Sequence, residues 1–309
     1  MLEALAFGLA TVLKICSCNN NATYQEKEWN VTSEWKEIWV NYRQNKLAVV
    51  GLIVVCSLLA IATAGPSLSP YSSREIDLPP LSSPSLKNPM GTDDLGRDVF
   101  SGFMLGAKLS LLVGFLAAIT STIIGIIVGS IAGYCGGRID NVMMRFTDVF
   151  MTIPQFVFAL VIAALFGGSL WNVIWVIGVL YWPSTARLIR AEFLSLKEYE
   201  FVKAARALGM RDMEIIFGEI LPNAISPAIV NASLSVASAI LVEAGLSFLG
   251  LGDMTLRSWG AMLHDAQTFM REAWWMAVFP GLGIFFATWG FNSVGEGLNA
   301  ALNPRLRER

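Results

Sequence analysis

What most limits the folds open to this chain is a set of five intervals free of Asp, Glu, Lys and Arg, each long enough to cross a membrane. A helix gains about 1.5 Å per residue, so roughly 20 apolar residues traverse the hydrocarbon of a bilayer. Lys46 to Arg74 encloses LAVVGLIVVCSLLAIATAG and Lys108 to Arg138 encloses LSLLVGFLAAITSTIIGIIVGSIAGYCGG, one helix in each. Glu219 to Glu243 and Glu272 to Glu296 hold one helix each. Asp148 to Arg187 has room for two, with FGGSL at Phe166 to Leu170 supplying the small residues of a tight reversal. The spacing predicts an all-α polytopic membrane protein with six transmembrane helices.

Hydrophobic residues make up 54% of the chain and charged ones 15%, a balance foreign to a soluble globule. The net charge of -2 leaves no broad basic surface, so no nucleic-acid partner is expected. Cys16, Cys18, Cys56 and Cys135 contain no C-x-x-C spacing and read as ordinary thiols. His264 is the one histidine, too little for a protein-built catalytic metal centre, and no metal site is expected.

Lys and Arg concentrate in short cytoplasmic connections. With both termini inside, Arg74, Lys87, Arg97, Lys108, Arg257 and Arg271 fall outside and Lys14 is unplaced, leaving 15 of the 22 on the inner side. That excess predicts cytoplasmic N and C termini in a multi-pass membrane protein. The divisions expected are an extension at 1–33, partly disordered through its Asn-rich CNNNATYQ, an amphipathic interfacial helix at 34–46, and a first transmembrane helix at 47–66. An external loop at 67–107, a core transmembrane domain at 108–298 and a cytoplasmic tail at 299–309 complete the chain. The start, MLEALAFGLATVL, has Glu3 and no basic residue before its apolar part, which makes a poor secretory signal. Trp35, Ile38, Trp39 and Tyr42 recur at i, i+3, i+4 and i+7, the stripe of an interfacial anchor or of an elbow docking on a partner.

The longest cytoplasmic connection is RLIRAEFLSLKEYEFVKAARALGMRDMEIIFGEILPN, residues 187–223, its first residues at the end of the fourth span and its loop expected at 191–222. Phe201, Ala204, Ala205 and Leu208 share one face at helical spacing, and Gly209 follows as the stop of that helix. A second helix is predicted from about Arg211, with Met213, Ile216, Phe217 and Ile220 as its apolar stripe. Ala204 and Ala205 let another surface approach the backbone, which suggests a rigid projection gripped by a partner. The alternative is a helix pair packed on its own bundle.

KAARALG followed by MRDMEIIFGEILP resembles the EAA signature of ABC importer permeases. Lys203, Ala204, Ala205, Ala207, Leu208 and Gly209 match its first part, Ile220, Leu221 and Pro222 its close, and Lys203 stands where many members have Glu. GTDDLGRDVFSGFMLGAKLSLLVG, Gly91 to Gly114, and EAGLSFLGLGDMTLRSWGAMLHDA, Glu243 to Ala266, resemble the C-type subunit of the peptide and nickel branch. The resemblance runs from about Trp35 to the C-terminus. It implies a type I ABC importer permease fold, a coupling helix seated in a groove on a cytoplasmic ATPase, and alternating access driven from there. It also implies the partners: a second homologous permease, two ATPase subunits, an external solute-binding protein and the lipid bilayer. Dipeptides or oligopeptides are the implied solutes, with nickel or another small solute as the alternative.

No G-x-x-x-x-G-K-[ST] occurs, GFMLGAKLS having the wrong spacing, so no cofactor is expected on this chain; the resemblance implies that ATP and Mg are held by the partner subunits. A membrane-embedded enzyme would need convergent acids or a His cluster, which the spans lack, so no catalytic residue is assigned. A passive channel has no need of an ATPase handle. Asp94, Arg97 and Asp98 are candidates for an external gate or for contact with the binding protein, or else for a cap held by local ion pairs. Glu243, near the outer end of the fifth span, belongs to the translocation path or caps the adjoining Gly-rich segment. Gly125, Gly129 and Gly133 give G-x-x-x-G spacing for packing within the chain or between subunits. Pro154, Pro183, Pro222 and Pro280 can each kink a span.

Overall fold

The computed structural model describes residues 31–68, 78–253 and 255–302. The expectations for the extension through residue 30, for Arg74 and for the last seven residues lie outside them. Every element among the described residues is helical, apart from an isolated bridge between Thr92 and Asp98.

Helix α1, Val31–Gln44, meets α2, Lys46–Leu68, at a corner fixed by Asn45, whose side-chain oxygen accepts from the N–H groups of Leu47 and Ala48. The predicted aromatic stripe divides there. Tyr42 is buried and its hydroxyl donates to the Ala48 carbonyl at 2.9 Å, whereas Trp39 is exposed, stacked on Tyr42 and under the Arg43 guanidinium.

The remaining helices are α3, Val99–Cys135; α4, Gly137–Thr152; α5, Gln155–Phe166; α6, Leu170–Leu196; and α7, Glu200–Ala207. A single turn, Asp212–Glu214, and a π-helical turn, Ile215–Ile220, lead into α8, Leu221–Phe248. Helices α9, Trp259–Ala266, and α10, Trp275–Leu302, follow.

Among the described residues four stretches are long and apolar enough to cross a bilayer: Lys46–Gly65, Val99–Cys135, Asp212–Phe248 and Trp275–Leu302. Helices α4 and α5 make a fifth if taken together, though they are bent by 83°. The bend has a covalent cause. Pro154 forces Ile153 into an extended conformation, φ -85 and ψ 130, and ends α4. Helix α6 is 27 residues long, but Pro183 lies inside it and Arg187, Arg190 and Glu192 occupy its last turns, which lowers its apolar content. The stretch expected to begin after Asp148 thus begins at Gly137, and Asp140 on α4 takes a bidentate contact from Arg190 on α6. The reversal falls where Gly167, at φ 83, closes α5 and the Ser169 hydroxyl accepts from the Asn172 N–H.

Helices α3 and α6 form the spine of the bundle. A Cβ on Gly125, Gly129 or Gly133 would lie 2.5 Å from Thr185 Cβ, the Ala186 carbonyl oxygen or Phe193 Cβ respectively. The glycine spacing therefore serves close packing within this chain. Outward, α4 and α5 expose Val142, Phe146, Val157 and Val161, the reverse of a water-soluble arrangement.

Candidate functional site

The connection between α6 and α8 folds as a hairpin with two dissimilar faces. Helix α7 ends in a Schellman motif: the Met210 N–H donates to the Ala205 carbonyl at 3.2 Å and the Gly209 N–H to the Arg206 carbonyl at 3.0 Å. Gly209 sits at φ 81, a conformation that penalises any residue with a Cβ, so the expected helix stop is where the sequence places it. The Arg211 N–H donates to Glu214 Oε2 at 3.0 Å, which starts the next turn.

The π turn follows from Pro222, which has no N–H to offer the carbonyl four residues back. Widening the turn places Ile215 and Ile220, five positions apart, together in the interior. With Val202 and Ala205 they pack on Ile189 and Phe193 of α6 and on Ala224 and Ala228 of α8. The stripe expected at 3.6-residue spacing is corrected accordingly: Met213 and Phe217 are exposed, and Ile215 takes the buried place. In α7, Val202 and Ala205 face inward while Ala204, Ala207, Leu208 and Gly209 face out. Ala205 is therefore part of the hairpin's own packing and is covered by this chain. Lys203 is exposed and pairs with Glu198 at 3.5 Å. Leu221 is half-buried against the inner cluster, and Pro222 lies at the start of α8. Leu208, 84% exposed, Met213 and Phe217 are the hairpin's outward apolar side chains, none of them covered by the described residues.

At the opposite end of α3 a polar cluster gathers Asp94, Arg97, Asp98 and Glu243 with residues that local patterns did not single out. Asp98 is the N-cap of α3, its carboxylate accepting from the Ser101 N–H at 2.8 Å and from Asn88 Nδ2 at 2.9 Å. Asp93 is its buried centre: its carboxylate accepts from Arg97 Nε at 2.7 Å and from Arg257 at 2.6 Å. Arg97 also lies 3.7 Å from Asp265. Burial pulls the Arg257 guanidinium below its ordinary value and pushes the Asp265 carboxyl above its own. Asp94 turns one oxygen inward without a protein partner. Glu243 is buried between α3, α8 and α9, accepting from the hydroxyls of Ser110 at 3.2 Å and Ser247 at 2.8 Å. Ser110 in turn accepts from the Trp259 N–H at 3.2 Å, so the carboxylate ties the start of α9 to α3. Among the described residues no group of acids, histidines and cysteines could hold a metal ion.

The family model described as "Binding-protein-dependent transport system inner membrane component" matches residues 125–308, and "N-terminal TM domain of oligopeptide transport permease C" matches 33–88. The chain belongs to this permease family. It is 41% identical to the dipeptide transport system permease protein DppC of Alkalihalophilus pseudofirmus, over 93% of this chain and 95% of that one. It is 37% identical to the oligopeptide transport system permease protein OppC of Bacillus subtilis, over 89% of this chain and 91% of that one. A chain of the MetNI methionine ABC transporter in an inward-facing form covers 62% of this chain and 94% of its own, with 18% identity and a TM-score of 0.49, too loose for residue-by-residue comparison. As a member of this family the permease is an inner-membrane transport component built on apolar helices.

Proposed function

We propose that this permease is one of two homologous membrane subunits of an ATP-driven importer of dipeptides or oligopeptides. The transport systems named for its relatives support the solute class, because the similarity spans about nine-tenths of the chain. The observation that carries the mechanism is the two-faced hairpin, seated inwardly on α6 and α8 and presenting Leu208, Met213 and Phe217 outwardly. That outer face sits in a groove on a nucleotide-hydrolysing subunit. Two such subunits hold ATP and Mg, this chain holds neither and catalyses nothing, and their closure moves the hairpins so that the path opens alternately to each side. The EAA-type residues Lys203, Ala204, Ala205, Ala207, Leu208, Gly209, Ile220, Leu221 and Pro222 form this coupling element.

In this reading α2, α3, the bent α4 and α5, α6, α8 with its lead-in, and α10 are six crossings, and both termini are cytoplasmic, as the Lys and Arg distribution favours. The cluster around Asp93 and Glu243 then faces outward, where a solute-binding protein delivers the peptide. The test is Leu208→Glu in cells producing the whole system, with the membrane level of the chain checked by immunoblot. Uptake of labelled dialanine and tetraalanine falls at least tenfold at an unchanged membrane level. Undiminished uptake would remove the coupling assignment.

A further inference from the structure

Covalently, the hairpin is continuous only with α6 and α8, so a pull on it reaches those helices first. Three side-chain links carry it into α3 as well. Lys197, just before α7, donates from Nζ to the Gly133 carbonyl at 3.2 Å. The Tyr134 hydroxyl donates to the Asp212 carboxylate, at the start of the turn after Gly209. Arg206, in the last turn of α7, holds its guanidinium 5.5 Å from the centre of the Tyr134 ring. Links from three places along the hairpin thus converge on two consecutive residues near the end of α3. The ring also packs on the inner cluster that contains Val202, Ala205 and Ile215.

A phenol suits this position because it donates from its hydroxyl to an acid while offering its π face to a cation. Helix α3 suits the load, being 37 residues long without proline and locked to α6 through Gly125, Gly129 and Gly133. Its far part carries Ser110, bound to Glu243 and the Trp259 N–H. Tyr134 and Ser110 are separated by roughly 36 Å at the rise of an α-helix. We infer that Tyr134 is a coupling joint, a positioning residue through which the hairpin drives α3 and, through α3, the polar cluster around Glu243. This rests on the proposed seating of an ATPase on the hairpin.

The test uses the complete complex purified with its own subunits, with nitroxides at Ile127→Cys on α3 and Leu282→Cys on α10 in a chain whose four native cysteines are serine. The distance between labels is measured without nucleotide and after trapping with ATP and vanadate. Trapping shifts the distance in the parent, and Tyr134→Phe or Asp212→Ala, which removes the acceptor, cuts that shift at least twofold while the subunits still co-purify. The two combined do no more than either alone, because they break one link. A full-sized shift in Tyr134→Phe, or none in the parent, would overturn the joint while leaving the ATPase docking intact. A parent complex that purifies without any ATPase would overturn the functional reading and this inference with it, a failure visible before any label is attached.

Discussion

Asp93 and Arg257 stand 164 residues apart in the chain and meet at 2.6 Å, with 1% of the Asp93 side chain and 13% of the Arg257 side chain exposed. The pair fastens the segment before α3 to the segment before α9. Breaking a buried pair by removing one partner costs about 3–5 kcal/mol, since the other charge stays buried and uncompensated. Asp93→Ala is therefore expected to lower stability by about that amount in a thermal unfolding assay in detergent. Asp93→Ala with Arg257→Met recovers most of the loss; no recovery would mean that Asp93 acts mainly through Arg97.

Glu243 accepts hydroxyls from Ser110 and Ser247, and Ser110 holds the first N–H of α9. Glutamine preserves one acceptor and the serine hydroxyls can rotate to meet its amide, so Glu243→Gln keeps α9 in place. Glu243→Leu leaves the two buried hydroxyl donors without their carboxylate acceptor, at about 1–3 kcal/mol each. Hydrogen exchange in residues 258–266 should quicken at least tenfold in the leucine variant and barely change in the glutamine one. Equal protection in both would assign the hold on α9 to other contacts.

The π turn makes a sharp contrast between neighbours. Ile215→Ala and Ile220→Ala each remove a fully buried side chain and should cost about 2–5 kcal/mol, whereas Met213→Ala and Phe217→Ala, both exposed, should stay within about 0.5 kcal/mol. Unfolding midpoints of the purified chain decide it. A loss at Phe217 as large as at Ile215 would mean that the hairpin turns as an ordinary α-helix.

The helix stop at Gly209 could be read from the sequence because a glycine after a short amphipathic run answers a local demand, the left-handed turn of a Schellman motif. Asp98 was expected as part of a gate or of an ion-paired cap, and the structure instead uses it as the N-cap of α3, which starts at Val99, ahead of the charge-free interval that begins after Lys108. Ile215 and Ile220 were hidden because a spacing of five does not fit the 3.6-residue period by which apolar stripes are sought. Ala205 looked equivalent to Ala204, and only the packing of Val202 against α6 shows which of the two is covered. Arginine at Ala205 would consequently disturb this chain's own fold, whereas sequence reasoning treats the position as a contact for a partner. Asp93 and Asp94 are adjacent and chemically identical. Which one pairs with Arg257, far along the chain, is settled by the fold, so no local pattern could have marked it.

The outward face of the hairpin is the proposed seat of a motor subunit, and transport by this permease hinges on that contact. Leu208→Cys in the complete complex, treated with a short bifunctional thiol–amine crosslinker, is expected to join this chain to a co-purifying subunit that hydrolyses ATP, while Val157→Cys on the exposed face of α5 is not. Crosslinks from Leu208→Cys that reach only lipid or a membrane subunit, in a complex that retains ATPase activity, would contradict it.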